Sequence, residues 1–252
     1  MPNLAISDSN LRQYDSEGYF VLPSVIPPNH LQLLRDEATA SVAAADAEMD
    51  AKGVKQLGPN HKGSRYFEAF AHDRASQLKA FLFSDLMVDV CRSVLGLDAF
   101  LYWEQYVIKG PERGLTFSWH QDSGYGMHAT EKPYLSCWCA LDDMSEANGT
   151  VYMLPYSRAP QGRKVVEHVR DPEINDLVGY HGDDPGDPVI CPAGSIACFS
   201  SFCFHRSGFN TSPNYRRVFL AQYCAAPIMK RDGSGIAGRA IPFTKDGKNV
   251  AV

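Results

Sequence analysis

The chain has no long apolar run. Nowhere in its 252 residues does a stretch approach the roughly 18–20 consecutive apolar residues of a membrane span. Met1 to Asn10 carries neither a basic segment nor an apolar signal core. The expectation is cytoplasmic residence with no membrane partner. Positive charge is also in short supply. Lys and Arg total 24 against 29 Asp and Glu, giving a net charge of −5 and an isoelectric point near 5.9. That balance argues against a nucleic-acid or anionic-membrane partner. Cysteine lacks a pattern: there are seven, an odd number, with no CxxC and only Cys137 and Cys139 two apart. This excludes an obvious disulfide framework or structural zinc site and predicts reduced, buried thiols acting as small hydrophobes. No internal repeat or low-complexity segment is present. Apolar residues are plentiful at 44%, and the length fits one domain spanning 1–252.

The hydrophobic pattern changes along the chain. Tyr19 to Pro23 reads as a short strand. Pro27-Pro28-Asn29 then opens a helix, with Asn29 as N-cap and Gln32 three residues on. Leu31, Leu34, Ala38 and Val42 follow at helical spacing. Gly53 to Gly63 reads as a polar loop. A second helical region is expected from about Ala75 to Leu95, with Leu86, Val90 and Val94 as its apolar stripe and Gly96 just past its end. From Phe100 the signal turns to strands: Phe100 to Lys109, Tyr134 to Leu141, Thr150 to Leu154, Ser195 to Ser200 and Arg217 to Cys224, separated by Gly, Pro, Asn and Asp turns. Helices followed by short strands point to a mainly β fold, a jelly-roll sandwich with helices packed outside one sheet. Ala226 to Val252 is expected to be an irregular flap or tail.

The richest chemistry lies in Trp119-His120-Gln121-Asp122, with Phe204-His205 and then Arg216 far downstream. In a strand, residues i and i+2 face the same way. His120 and Asp122 can therefore reach one metal from a single strand end, and His205 can complete the set from a distant strand. Two imidazoles and one carboxylate fill half an octahedron and leave positions open, the ligand pattern of mononuclear non-haem Fe(II) sites. Arg216 could hold a carboxylate with bidentate geometry. Each residue also has a plainer reading, since HxD pairs arise by chance, a lone histidine is commonly structural, and an arginine is commonly a salt-bridge partner. The combination and its order carry the argument.

The segment His205-Arg206-Ser207-Gly208-Phe209-Asn210-Thr211-Ser212 to Arg216 resembles the C-terminal signature of the phytanoyl-CoA dioxygenase family, with Arg206 in place of the usual Gly. Two further blocks are similar to that family. One is Leu135 to Asp143 with Asn148-Gly149-Thr150 and Leu154-Pro155-Tyr156-Ser157, where Tyr156 and Arg158 replace a Gly and a His. The other is Tyr14 to Pro23. The resemblance runs from about residue 12 to 225. It implies a double-stranded β-helix, cupin-like, with Fe(II) and O2 chemistry and 2-oxoglutarate as cosubstrate. It also implies His120, Asp122 and His205 as catalytic metal ligands and Arg216 as the partner of the far carboxylate of 2-oxoglutarate. Ser207, Gln105 and Trp138 would be further cofactor-binding residues. Asp122 stands where related halogenases have a small residue, which favours hydroxylation, desaturation or cyclisation over halogenation.

The expected activity is hydroxylation of an aliphatic C–H in a small-molecule substrate by a monomer or homodimer. Tyr66, Trp103, Lys109 and Tyr125 are candidate substrate residues. Core packing is the competing reading for the aromatics, and simple solvation for Lys109. His128 reads as a loop histidine, and His61, His72, His168 and His181 fall in loop-like contexts without a role. Two other functions compete with the oxygenase. A non-catalytic metal- or ligand-binding jelly roll leaves the retention of Arg216 with all three ligands unexplained. A zinc hydrolase lacks an HExxH-type base.

Overall fold

Period-two alternation decides which side of each strand meets which partner. The computed structural model describes residues 6–111, 116–125, 132–172 and 176–251. The strands are β1 (Tyr19–Leu22), β2 (Gln56–Leu57), β3 (Asn60–His61), β4 (Arg65–Ala69), β5 (Ala99–Lys109), β6 (Phe117–His120), β7 (Leu135–Ala140) and β8 (Val151–Leu154). They continue with β9 (Val169–Arg170), β10 (Leu177–Val178), β11 (Asp187–Pro188), β12 (Ile196–Ser200), β13 (Phe204–Ser207), β14 (Arg216–Cys224), β15 (Ile241–Lys245) and β16 (Lys248–Asn249). The major sheet runs β1-β12-β7-β14-β5-β4-β3-β2, and the minor sheet β11-β8-β13-β6. All the pairings are antiparallel.

The inner faces of the two sheets share an apolar cluster in which Trp138, Ala140, Val218 and Leu220 of the major sheet meet Val151 and Met153 of the minor one. Alternate residues of the same strands, among them Cys137, Cys139, Phe219 and Tyr223, face outward into a second cluster. That outer cluster is covered by α2 (Pro28–Ala51), through Leu34, Ala38 and Met49, and by α5 (Asp85–Leu95), through Met87 and Val90. The result is a jelly roll with helices on one sheet, as the order of periodicities implied. All seven cysteines are free and buried. Among the described residues no helix is long and apolar enough to cross a membrane.

Several local expectations are corrected. A helix absent from the sequence reading, α1 (Asp8–Glu17), buries no residue. Its Ser7 N-cap and left-handed Gly18 end define it instead. The long helix starts at Pro28 with Pro27 as N-cap and no side-chain cap bond, and Gln32 reaches forward to Asp36 rather than back. Proline at the first helical position supplies the required φ, so the Asn29 cap is unnecessary. The Ala75–Leu95 region is not one helix. It is preceded by α3 (Ala71–Arg74) and divides into a 3₁₀ turn, α4 (Lys79–Leu82) and α5. Ser84 makes the break because its hydroxyl caps the Met87 N–H. The supposed polar loop contains the β2–β3 hairpin. The C-terminal tail is also partly regular: β15 pairs with β5 and β16, and Phe243 is fully buried against Phe83 and Tyr223.

Candidate metal centre and cosubstrate cavity

Three strand-end side chains converge between the sheets. His120 ends β6 and His205 lies on β13, directly opposite each other in the antiparallel register, with ring centroids 4.2 Å apart. Asp122 lies two residues beyond the strand, at the start of a 3₁₀ turn, so the HxD pair straddles a strand end instead of lying within it. One ligand-type atom from each of the three residues falls within 4.8 Å of the others.

Hydrogen bonds aim these atoms. Nδ1 of His120 lies 2.7 Å from the Ser118 carbonyl and Nδ1 of His205 lies 3.1 Å from the Cys203 carbonyl. Each Nδ1 must therefore carry its proton and donate, which leaves Nε2 with a lone pair for a metal. Burial first, and then the neighbouring His205, push His120 down to about 4, against the pull of Asp122. A neutral imidazole is the form a metal requires. The Asp122 Oδ2 accepts from Ser136 Oγ at 2.6 Å and from Gln222 Nε2 at 2.9 Å. Oδ1, 3.5 Å from His205 Nε2, is left for a metal. Between the ligands, fully buried Gln121 donates to the Lys164 and Phe202 carbonyls and accepts from the Val166 N–H. Its own N–H donates to His168 Nε2 at 2.8 Å, so His168 braces the turn that carries Asp122.

These ligands open onto a cavity of about 490 Å³. Arg216 stands in its wall, 1% exposed, with Nε lacking a hydrogen-bond partner among the described residues. One terminal nitrogen, Nη1, donates to the Val107 carbonyl, and the guanidinium lies 5.9 Å from the Trp138 ring. Burial lowers Arg216 to about 9, still protonated at neutral pH. A buried cation in the wall of a cavity, with one donor unpartnered, fits a carboxylate ligand. The donor set of two neutral imidazoles and a carboxylate likewise fits Fe(II). The residues present therefore fit both the metal and an acidic chelator.

Ser207, Gln105, Trp103, Trp138 and Tyr125 also line the cavity. Trp103 donates to Gln105 and rests on Phe70, whose ring centroid is 4.3 Å away. Tyr125 meets His120 edge-on. Two candidates are not where the sequence suggested. Tyr66 points to the other side of β4, where its hydroxyl donates to Asp46, while Phe67 and Ala69 take the cavity side. Lys109 is fully buried behind Ser207 and does not line the cavity. His61 lies on β3, and His72 is buried on α3 beside Glu104. His128 lies outside the described residues. Sequence reasoning passed over Ser136 and Gln222, although strand parity with Trp138 and Arg216 places both on the cavity face. It also passed over Phe67, Tyr102, Tyr134 and Phe199 as wall residues.

Known proteins resemble this chain in sequence and in fold. The ectoine dioxygenase of Stutzerimonas stutzeri is 22% identical over 247 residues, 88% of this chain and 78% of that protein. Among solved structures, the carbocyclase SnoK from nogalamycin biosynthesis, described as non-haem and alpha-ketoglutarate dependent, superposes with a TM-score of 0.71 at 19% identity, covering 95% of this chain and 97% of the other. EctD from S. alaskensis with 2-oxoglutarate and 5-hydroxyectoine gives 0.66 at 21% identity, with 96% and 87% covered. The family model described as Phytanoyl-CoA dioxygenase (PhyH) matches residues 14–218. With that span covering most of the sequence, the chain belongs to the phytanoyl-CoA dioxygenase family, whose cofactors are iron and 2-oxoglutarate.

Proposed function

We propose that the protein hydroxylates an aliphatic C–H of a small-molecule metabolite, using Fe(II), 2-oxoglutarate and O2 and releasing succinate and CO2. The observation that carries this reading is the meeting, in one cavity, of the His120–Asp122–His205 cluster and a buried Arg216 whose Nε has no partner among the described residues. When bound, the iron with 2-oxoglutarate supplies the oxidant that removes hydrogen from the substrate. The chain's own residues bind and orient. His120 and His205 offer Nε2 and Asp122 offers Oδ1. Arg216 grips the far carboxylate, and Trp138 packs along the guanidinium. Asp122 as third ligand occupies the position that a halide would need.

The cavity must hold cosubstrate and substrate together, and about 490 Å³ lies within the ordinary range for small ligands. Relatives that act on compact metabolites, such as ectoine dioxygenase, support a small substrate. A non-catalytic ligand-binding role leaves the ligand-poised Asp122 Oδ1 without purpose.

Adding Fe(II) and 2-oxoglutarate anaerobically should produce a weak visible charge-transfer band, and admitting O2 with a metabolite panel should release succinate. Replacing His120, Asp122 or His205 by Ala should abolish both. Arg216→Ala should keep the metal but raise the 2-oxoglutarate constant more than about tenfold, from about 2–5 kcal/mol of lost charge pairing. Absence of the band and of succinate from the unmodified protein would refute the reading.

A further inference from the structure

A second cation lies beside the cosubstrate anchor with no anion to pair it among the described residues. Strands β4, β5 and β14 set Arg65, Lys109 and Arg216 directly opposite one another across three neighbouring strands. In-register residues share a sheet face, and like charges placed opposite each other repel. Two of the three, Lys109 at 0% and Arg216 at 1% exposure, have no water to screen that repulsion. Among the described residues Lys109 Nζ donates only to neutral acceptors, Ser207 Oγ at 2.8 Å and the Gly208 carbonyl. It stands 5.2 Å from the Phe117 ring centroid. The groups facing it are Arg65 from β4, Arg216 from β14, Ser207 and Gly208 from β13 and the turn after it, Phe117 from β6, and Asp176. The Asp176 carboxylate accepts the Ser118 N–H. Among the described residues no carboxylate lies within ion-pair distance of Lys109.

We propose that Lys109 is a proton-coupled positioning residue: a neutral amine holds Ser207 in the cosubstrate-free protein, and it takes up a proton from solvent when the far carboxylate of 2-oxoglutarate reaches Arg216. This rests on the dioxygenase reading above. A neutral amine can donate to the two acceptors that Lys109 actually has, and it relieves the three-cation ladder. The incoming carboxylate offsets the Arg216 charge and makes the protonated form tolerable one strand away. Burial, then Arg216 and Arg65, push the Lys109 ammonium down to about 5, with Asp176 pulling weakly the other way. The bound state then holds a proton that the free state lacks, so 2-oxoglutarate binding must weaken as pH rises above neutrality. Lys109 touches neither the metal ligands nor the cavity, so its effect passes through Ser207 and the local charge.

The test is calorimetric titration of 2-oxoglutarate into Mn(II)-loaded protein under anaerobic conditions near neutral pH, in buffers of different ionisation enthalpy such as phosphate and Tris. The dependence of the heat on buffer should report uptake of about one proton by the unmodified protein. It should fall to near zero in Lys109→Met, which keeps the length without the charge, and in Lys109→Arg, which is permanently charged. A merely structural lysine would change affinity without changing the proton count. Binding by the unmodified protein with no buffer dependence overturns the proposal whether or not the variants fold, and so does full uptake in Lys109→Met. Failure to bind 2-oxoglutarate at all overturns the dioxygenase reading itself and is recognised by the absence of any heat.

Discussion

At the residue scale, the Asp122 carboxylate is divided between two tasks. Ser136 and Gln222, in register on β7 and β14 and themselves 2.9 Å apart, hold one oxygen and leave the other for the metal. In the proposed site a carboxylate fixed in this way would offer a metal one oxygen. Partners in the shell around a metal's ligands commonly tune affinity by about 10–100-fold. Ser136→Ala and Gln222→Leu should therefore each weaken Fe(II) or Co(II) binding by about that factor without changing the fold. Titration with Co(II), read from its visible absorption, measures this. An unchanged metal affinity in both variants would mean that Asp122 needs no such support.

At the element scale, the long strand β5 organises the site. Its residues 105 to 109 pair with β4 and its first residues pair with β15 along the same edge, while β14 covers the other edge for its whole length. The C-terminal hairpin thus completes the major sheet. Phe243, 0% exposed, packs against Phe83 and Tyr223, and the Tyr223 hydroxyl donates to the Leu82 carbonyl. Truncating a buried phenylalanine costs about 3–5 kcal/mol. Phe243→Ala should lower the urea midpoint by the corresponding amount. If the midpoint stays where it is, the hairpin is an appendage rather than part of the core. Turns matter as well. Gly149, at φ +76°, packs its Cα side against the Gly208 carbonyl, where a Cβ would come within 2.5 Å of that oxygen. Any side chain there would press on the backbone that follows Ser207.

At the scale of the whole molecule, the buried His120 and the half-buried His30 and His168 couple stability to pH. Burial lowers His120, His30 and His168 from their ordinary value of 6.5, His120 to about 4. For such groups the unfolded chain binds protons first. Stability is therefore full above about 6.5 and is lost as pH falls toward 4, where the folded His120 titrates. The metal-free protein should show a melting temperature that declines across this window. Metal bound to His120 and His205 competes with those protons, so loading should flatten the upper part of the decline. Scanning calorimetry with and without Co(II) checks this. A metal-free melting temperature constant from pH 7 down to 4.5 would contradict the burial of a neutral His120.

Local rules were enough to read the class of fold and the order of its parts. Helical spacing in residues 31 to 42, β-branched and aromatic runs from Phe100 onward, and turn residues between them are properties of short windows. The strands they imply fall within a residue or two of those observed. The HxD spacing with a distant His-x-Ser and Arg was likewise legible as a pattern, although the two residues converge through a strand end and the turn after it rather than through strand periodicity. Pairing and parity between distant segments were not legible. Which side of β4 meets the cavity depends on its register with β5, and that register turned Tyr66 into the core and Phe67 toward the site. Whether Lys109 is solvated depends on β13 and its following turn covering it, contacts about a hundred positions away in the chain. Ser136 and Gln222 acquire their task only because β7 and β14 are neighbours. The tail became a strand because the edge of β5 beyond the end of β4 was left with unpaired backbone groups. Backbone propensities act within a few residues, whereas burial, register and charge neighbourhood are properties of the closed sheet, so only the tertiary structure decided them.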